Sequence, residues 1–277
     1  MASEEHASGE VDIVGHILDH DYLEVPFWNA QHIFDGKISL PQFAPFDLFG
    51  LTVDLSISRH IAMMWVASLL LIVSLTLSFR RSALVPSGFA NLLEALVVFI
   101  RDEVVVPIMG DHGKVYLPYL LTVFFFILFC NMLGLVPYSA TATGNVSVTA
   151  ALALLTFAIT QGAGIANNGP VGYLRSLIPG GMPAPLLLIM IPIELISLLA
   201  KPFALCIRLF ANMIAGHVAI LVFLGLVIMM KTLWLAPFSV AFAAALYFLE
   251  IFIGFIQAFI FSLLSAMFIN MAAHPEH

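Results

Sequence analysis

The chain has 277 residues, of which 61% are hydrophobic and 10% charged, with a mean hydropathy of +1.05 and a formal net charge of −7. Soluble domains carry about 25% charged residues, so these figures exclude a soluble fold and describe a multi-span helical membrane protein. Its two cysteines, Cys130 and Cys206, lie far apart in apolar segments, a pattern that gives neither a disulfide framework nor a CxxC metal site.

In chain order, the first 58 residues read as an acidic extramembrane tail, because ten of the seventeen Asp and Glu residues precede position 59. Its start, "MASEEHASGE", lacks the basic and then apolar regions of a secretory signal. His16 and His20 have i,i+4 ligand spacing beside Asp12 and Asp19, yet no further anchored ligand completes a metal set. No metal site is assigned.

A membrane-crossing helix needs about 20 apolar residues. The first such run is 60–79, closed by Arg80-Arg81. Residues 87–109 have apolar positions at helical spacing with Glu94, Arg101, Asp102 and Glu103 interspersed, which predicts an amphipathic helix lying at the interface. Spans follow at 115–137 and 146–166, separated by the polar turn "YSATATGNVS". A Gly/Pro-rich link leads to a long run at 186–230, and a last helix covers 234–271. The expected fold is an all-α integral membrane protein. It has five transmembrane helices, one interfacial helix, and a membrane domain over 59–277.

The 45 residues of 186–230 would reach about 67 Å as one helix, against a hydrocarbon core of about 30 Å. The only candidate for a reversal, Lys201-Pro202, is flanked by apolar residues without glycine, a poor turn inside lipid. The sequence therefore predicts two long, tilted, antiparallel final helices, the first kinked near Pro202. Lys and Arg concentrate in the loops after spans one and three. This places those loops in the cytoplasm, the N-terminus outside and the C-terminus inside.

The fourth span carries the costly residues. A charge at the bilayer centre costs about 2.5–3.5 kcal/mol on insertion scales, which makes it a functional-site hypothesis. Glu194, Lys201 and Arg208 are seven apart and Asn212 is four beyond, so they form one polar stripe. His217, nine past Arg208, turns to the opposite side. Folding the last hairpin about residue 232 brings His217 level with residue 247, near Glu250. The same fold sets Arg208 beside Gln257 and Glu194 level with Asn270. Glu250 and His217 can both exchange protons. Arg208 cannot, but its fixed charge can attract a partner's carboxylate. Glu194 lies toward the cytoplasmic end and can accept a proton leaving there. Two acidic half-paths about a fixed cation make a turnstile whose moving carboxylate must come from another protein.

Each residue also has a structural reading. Arg208 could form an internal ion pair, Lys201 could snorkel to an interface, and His217 with Glu250 could be a structural pair. Asn212, Gln257, Asn131 and Asn270 could be helix–helix glue. "GDHGK" at 110–114 does not fit the phosphate-binding GxxxxGK[ST] pattern. No cofactor and no nucleic-acid partner is implied.

"ELISLLAKPFALCIRLFANMIAGH" followed by "IQAFIFSLLSAMFINMA" closely resembles subunit a of the F-type ATP synthase, and "NMLGLVPYSATATGNVSVTAALAL" resembles the same family's earlier spans. The similarity runs from about residue 58 to the C-terminus. It implies a stator subunit, not an enzyme by itself, that offers two proton half-channels to a rotating ring of c subunits. The b-subunit peripheral stalk, the other synthase subunits and the lipid bilayer would be its remaining partners. Arg208 would meet each ring carboxylate. Glu194 would belong to the cytoplasmic half-channel, and His217 and Glu250 to the outer one with Asn212 and Gln257 nearby. In some bacterial members the carboxylate and the histidine of that outer pair are exchanged. The family often has an acidic residue near Gly134, which this chain lacks. The expected location is a bacterial inner (plasma) membrane, with an organelle membrane as the alternative. The competing reading is a self-contained secondary transporter or channel with Arg208 as an anion site. That class commonly shows internal repeats, which this sequence lacks. A third reading is a purely structural stator anchor.

Overall fold

The computed structural model describes residues 22–24, 37–42, 46–48, 51–53, 56–79, 87–136, 141–176, 184–230 and 236–274. The tail histidines His16 and His20 lie outside these residues, as do Arg80, Arg81 and the break at Lys231. The described parts of the tail form two short antiparallel ladders, which the sequence reading had not assigned. β1 (Tyr22–Glu24) pairs with β2 (Lys37–Ser39), and β3 (Phe46–Leu48) pairs with β4 (Leu51–Val53).

The membrane part is all α, as its composition demands. α1 spans Arg59–Phe79 and α2 Phe89–Ile100. A π-helical turn at Arg101–Val105 and a last α-turn at Val106–Met109 extend α2. α3 covers Leu117–Gly134, α4 Val146–Ser176, α5 Ala184–Met230 and α6 Ala236–Ala273. Among the described residues, α1, α3, α4, α5 and α6 are long and apolar enough to cross a membrane.

α2 buries Leu93 and Ile100, and its extension buries Val104, Val105 and Met109, while Glu94, Arg101, Asp102 and Glu103 stay exposed. This is the one-sided pattern of an interfacial helix. At the π turn the Arg101 side chain grips Asp102 through two hydrogen bonds of 2.7 and 3.1 Å, and this hydrogen bonding lowers the Asp102 carboxyl from its ordinary pKa.

α6 is the central strut and packs against α3, α4 and α5. Its buried residues Glu250, Gly254, Gln257, Phe261 and Ser265 recur every three or four positions, which puts them on one face of the helix. Around that face Phe99, Phe124, Phe255 and Phe259 form an aromatic cluster with ring centroids 5.4 to 6.5 Å apart. Such pairs add about 0.5–1.5 kcal/mol each beyond their buried area. Cys130 and Cys206 are buried free thiols; Cys206 belongs to this core, and Cys130 packs with Ala67 and Ala142 in a smaller cluster.

α5 is a single helix of 47 residues that contains both Pro192 and Pro202. The chain does not reverse at Lys201-Pro202. At about 1.5 Å per residue the helix is about 70 Å long, more than twice the hydrocarbon thickness.

The third span runs further than expected. α4 continues past residue 166 and is interrupted only at Gly169, whose φ of 71° and ψ of 162° are non-helical, before it resumes through Ser176. Pro170 follows directly and removes a backbone donor there. The Gly/Pro pair ends the first helical segment and folds a second, short one back on it.

Candidate functional site

Two polar assemblies lie at opposite ends of the α5–α6 pair, with Arg208 between them in sequence along α5.

The first centres on Glu250 of α6, which is buried. Room for its carboxyl comes from Gly216 on α5, where a Cβ would fall 2.6 Å from Glu250 Oε1. The next residue, His217, places Nδ1 3.6 Å from the same oxygen. The hairpin expectation had set His217 level with residue 247; the contact is with Glu250 itself, almost a turn further along α6. Among the described residues neither Glu250 oxygen has a hydrogen-bond partner, although buried polar groups are paired in the great majority of cases.

Four elements converge here. The other ring nitrogen of His217, Nε2, bonds the Thr141 hydroxyl. Thr141 opens the 3-10 turn at Ala142–Gly144 that joins α3 to α4. Its side chain occupies the space a side chain on Gly134 would need, so only glycine at 134 lets the hydroxyl reach His217. The Thr141 carbonyl in turn accepts from Nδ1 of His60, buried at the start of α1, at 3.2 Å. The turn is pinned from beneath. Thr143 Oγ1 donates to Asn131 Oδ1 at 2.7 Å, and Asn131 Nδ2 donates to the Gly254 carbonyl at 3.0 Å. Tyr247 donates to the Leu135 carbonyl at 2.8 Å. Asn131, read from the sequence as a candidate for either role, here joins α3 to α6.

Toward the other end of α5, Glu194, Lys201 and Asn270 line one cavity of about 410 Å3 between α4, α5 and α6. Glu194 and Asn270, expected to lie level, share this cavity. Lys201 also sits 5.7 Å from the centre of the Phe268 ring, within cation–π range. Pro202, in the same wall, cannot donate to the Leu198 carbonyl one turn back, and Leu198 lines the cavity too.

Arg208 is exposed, one residue from the fully buried Leu209. It forms no ion pair among the described residues, which removes the internal ion-pair reading within them. Ala204, Ala211 and Ala215 are exposed on its side of the helix. One turn beyond, Asn212 Nδ2 donates to Gln257 Oε1 at 2.8 Å and ties α5 to α6 beneath the arginine.

Sequence reasoning missed His60, Thr141, Gln161 and Tyr173. The first two carried a signal. His60 opens the first span and Thr141 sits in the turn after the second, so both belong to the membrane side on which the α5–α6 hairpin closes.

The profile of the family described as ATP synthase A chain matches residues 61–270. The chain is 45% identical to a protein of Chloroherpeton thalassium named ATP synthase subunit a, over 98% of this chain and 80% of that one. A protein of the same name from Myxococcus xanthus is 52% identical over 81% of this chain and 75% of its own length. ATP synthase subunit a 2 of Prosthecochloris aestuarii is 47% identical over 98% of this chain and 84% of its own length.

Proposed function

The chain belongs to the ATP synthase A chain family, and from that premise and the site geometry we propose that it is the stator subunit that carries protons to and from a rotating ring of c subunits. It would sit in a bacterial plasma membrane as one of the synthase's membrane subunits, beside the ring and the b-subunit stalk, with its N-terminus outside. Residues 59–277 form the membrane domain.

The observation that carries this reading is the position of Arg208. An exposed arginine among the exposed apolar residues Leu199, Phe203 and Ile207 faces either lipid or a partner. Lipid is the costly choice. The alanines around it let another helix approach closely, and a carboxylate on that helix would supply the missing counter-ion.

Protons enter through the outer assembly, where His217 and Glu250 are the exchanging groups and Thr141 orients the imidazole. They load a ring carboxylate near Asn212 and Gln257. After the ring has turned, the carboxylate reaches the inner cavity, and Glu194 takes the proton toward the cytoplasm with Lys201 and Asn270 beside it. Arg208 supplies the fixed cation between the two paths. It discharges each arriving carboxylic acid and closes the direct route between the two paths.

The test is ATP-driven proton pumping in inverted vesicles, with passive proton permeability measured alongside. Arg208→Ala should abolish pumping in an assembled complex and raise passive leak. Arg208→Lys should lose most of it too, because the planar fork and the fixed protonation go together. Normal pumping by either variant would refute the turnstile.

A further inference from the structure

Two histidines from distant parts of the sequence meet beside the inner cavity. His112 lies in the 3-10 turn Gly110–Val115 that joins the α2 extension to α3. His274 directly follows α6 and lines the cavity. Their ring centroids are 5.3 Å apart, with the planes tilted by 54°. Both residues are exposed, and among the described residues neither imidazole forms a hydrogen bond or an ion pair.

The fold holds both rings in place. The turn that carries His112 is pressed onto the end of α2, since a Cβ on Gly113 would fall 2.6 Å from Val105 Cγ1 and 2.8 Å from Met109 Cβ. Asp111 is tied to Lys114 across the same turn at 2.7 Å. On the other side Asn168 anchors the end of α6, with Nδ2 3.2 Å from the carbonyls of both Ala272 and Ala273. The back-folded segment of α4 closes that corner. Its Tyr173, which also lines the cavity, is buried and donates to Gln161 Oε1 at 2.5 Å. The Tyr173 ring takes the space of a side chain at Gly164, where a Cβ would be 2.6 Å from Cδ2 and 3.2 Å from the Ala272 carbonyl.

A tetrahedral zinc ion binds an imidazole nitrogen at about 2.0–2.1 Å. That nitrogen lies about 1.15 Å from its own ring centroid, so two imidazoles on one such ion have centroids about 5.2 Å apart. The separation of 5.3 Å meets this requirement. Turning an exposed ring about its broad terminal torsion selects which nitrogen faces the partner and leaves the centroid nearly in place. Imidazole suits zinc, copper and nickel, whereas calcium and magnesium take oxygen ligands. Among the described residues no third His, Cys, Asp or Glu completes a metal set, so waters fill the remaining positions.

We propose that His112 and His274 form a two-imidazole site for a divalent transition-metal ion of the zinc type, which clamps the α2–α3 turn to the end of α6. The bound ion adds two positive charges at a residue that lines the inner cavity, where a metal ion is the largest local charge. It therefore slows proton passage through that cavity. This consequence rests on the half-channel reading above; the metal site itself does not.

The experiment uses the assembled complex, with zinc alone as the probe. Zinc binding is titrated from a chelator-buffered solution on purified complex in detergent, for wild type, His112→Phe, His112→Cys and His274→Gln. His112→Phe keeps a ring against His274 and removes the ligand, whereas His112→Cys removes the ring and supplies a thiolate ligand. Wild type and His112→Cys should bind one zinc ion per copy of this chain. His112→Phe and His274→Gln should bind it at least about tenfold more weakly, since loss of even a supporting partner costs about 10–100-fold in metal affinity. In inverted vesicles, where the cytoplasmic face is outside, zinc should slow ATP-driven pumping by the wild type and a chelator should restore it. The zinc concentration for half-inhibition should rise by the same factor in His112→Phe, whose pumping without metal should match the wild type. Equal zinc binding by all four proteins would overturn the proposal and leave the two rings as a packing contact. Zinc that binds through the pair and leaves pumping unchanged would overturn the proposed block. Arg208→Ala then tells the readings apart: coupled loss in that variant confines the failure to this inference, and normal pumping there refutes the half-channels. If His274→Gln does not assemble, the two His112 variants, placed in an exposed turn, carry the test alone.

Discussion

Glu250 shows how one missing side chain sets a site. Its carboxyl reaches His217 only because residue 216 is glycine, and the space a methyl would take is 2.6 Å from Oε1. Gly216→Ala should therefore move the carboxyl away from His217. One turn further along α6 the packing is equally tight, with Asn131 and Met132 3.2 Å from where a Gly254 Cβ would be. Overpacking of this kind costs about 1–3 kcal/mol. Proton pumping should fall by about tenfold or more while the protein still assembles, as measured in inverted vesicles. Wild-type pumping would mean that the His217–Glu250 separation does not matter. The same logic applies at Gly134, where Thr141 takes the vacant space and presents a hydroxyl to His217.

At the scale of elements, α4 carries the least expected feature. Gly169 holds φ 71° and ψ 162°, a region essentially open to glycine alone, where other residues pay about 1–3 kcal/mol. No neighbour lies within 4 Å of its would-be Cβ, so an alanine there meets backbone strain and no steric clash. Gly169→Ala should lower the complex's thermal stability in detergent by about that amount. It should also slow pumping, because straightening the helix withdraws Tyr173 from the cavity. An unchanged melting profile with unchanged pumping would show that the bend is not needed. α5 makes the converse point. Two prolines lie inside it without ending it, and Leu198, whose carbonyl Pro202 cannot reach, lines the polar cavity.

For the whole molecule, the two assemblies occupy different elements as well as different depths. The outer one joins α1, the α3–α4 turn, α5 and α6; the inner one joins α4, α5 and α6. The proposed orientation puts the outer assembly, with His60, at the non-cytoplasmic face. A cysteine introduced at Ser58 should react with a membrane-impermeant thiol reagent in intact cells. One introduced at His274 should react only in inverted vesicles, with the buried Cys130 and Cys206 as a silent background. Labelling in the reverse pattern would invert the assignment of entry and exit paths.

Composition and period by themselves determined the five spans, the interfacial helix and the polar stripe of α5, because lipid forces every backbone group into helical hydrogen bonds and leaves only side-chain spacing to read. The same spacing put Glu194 level with Asn270 and brought His217 close to Glu250, since an antiparallel hairpin has only one register to set. Tertiary structure alone decided what the turns deliver. His60, Thr141, Gln161 and Tyr173 act across 12 to 81 positions of sequence, and their meeting depends on where Gly134, Gly164 and Gly216 leave space and where Gly169 bends the chain. A glycine's vacancy has no periodicity, so its consequence appears only when the neighbour that fills it is in place.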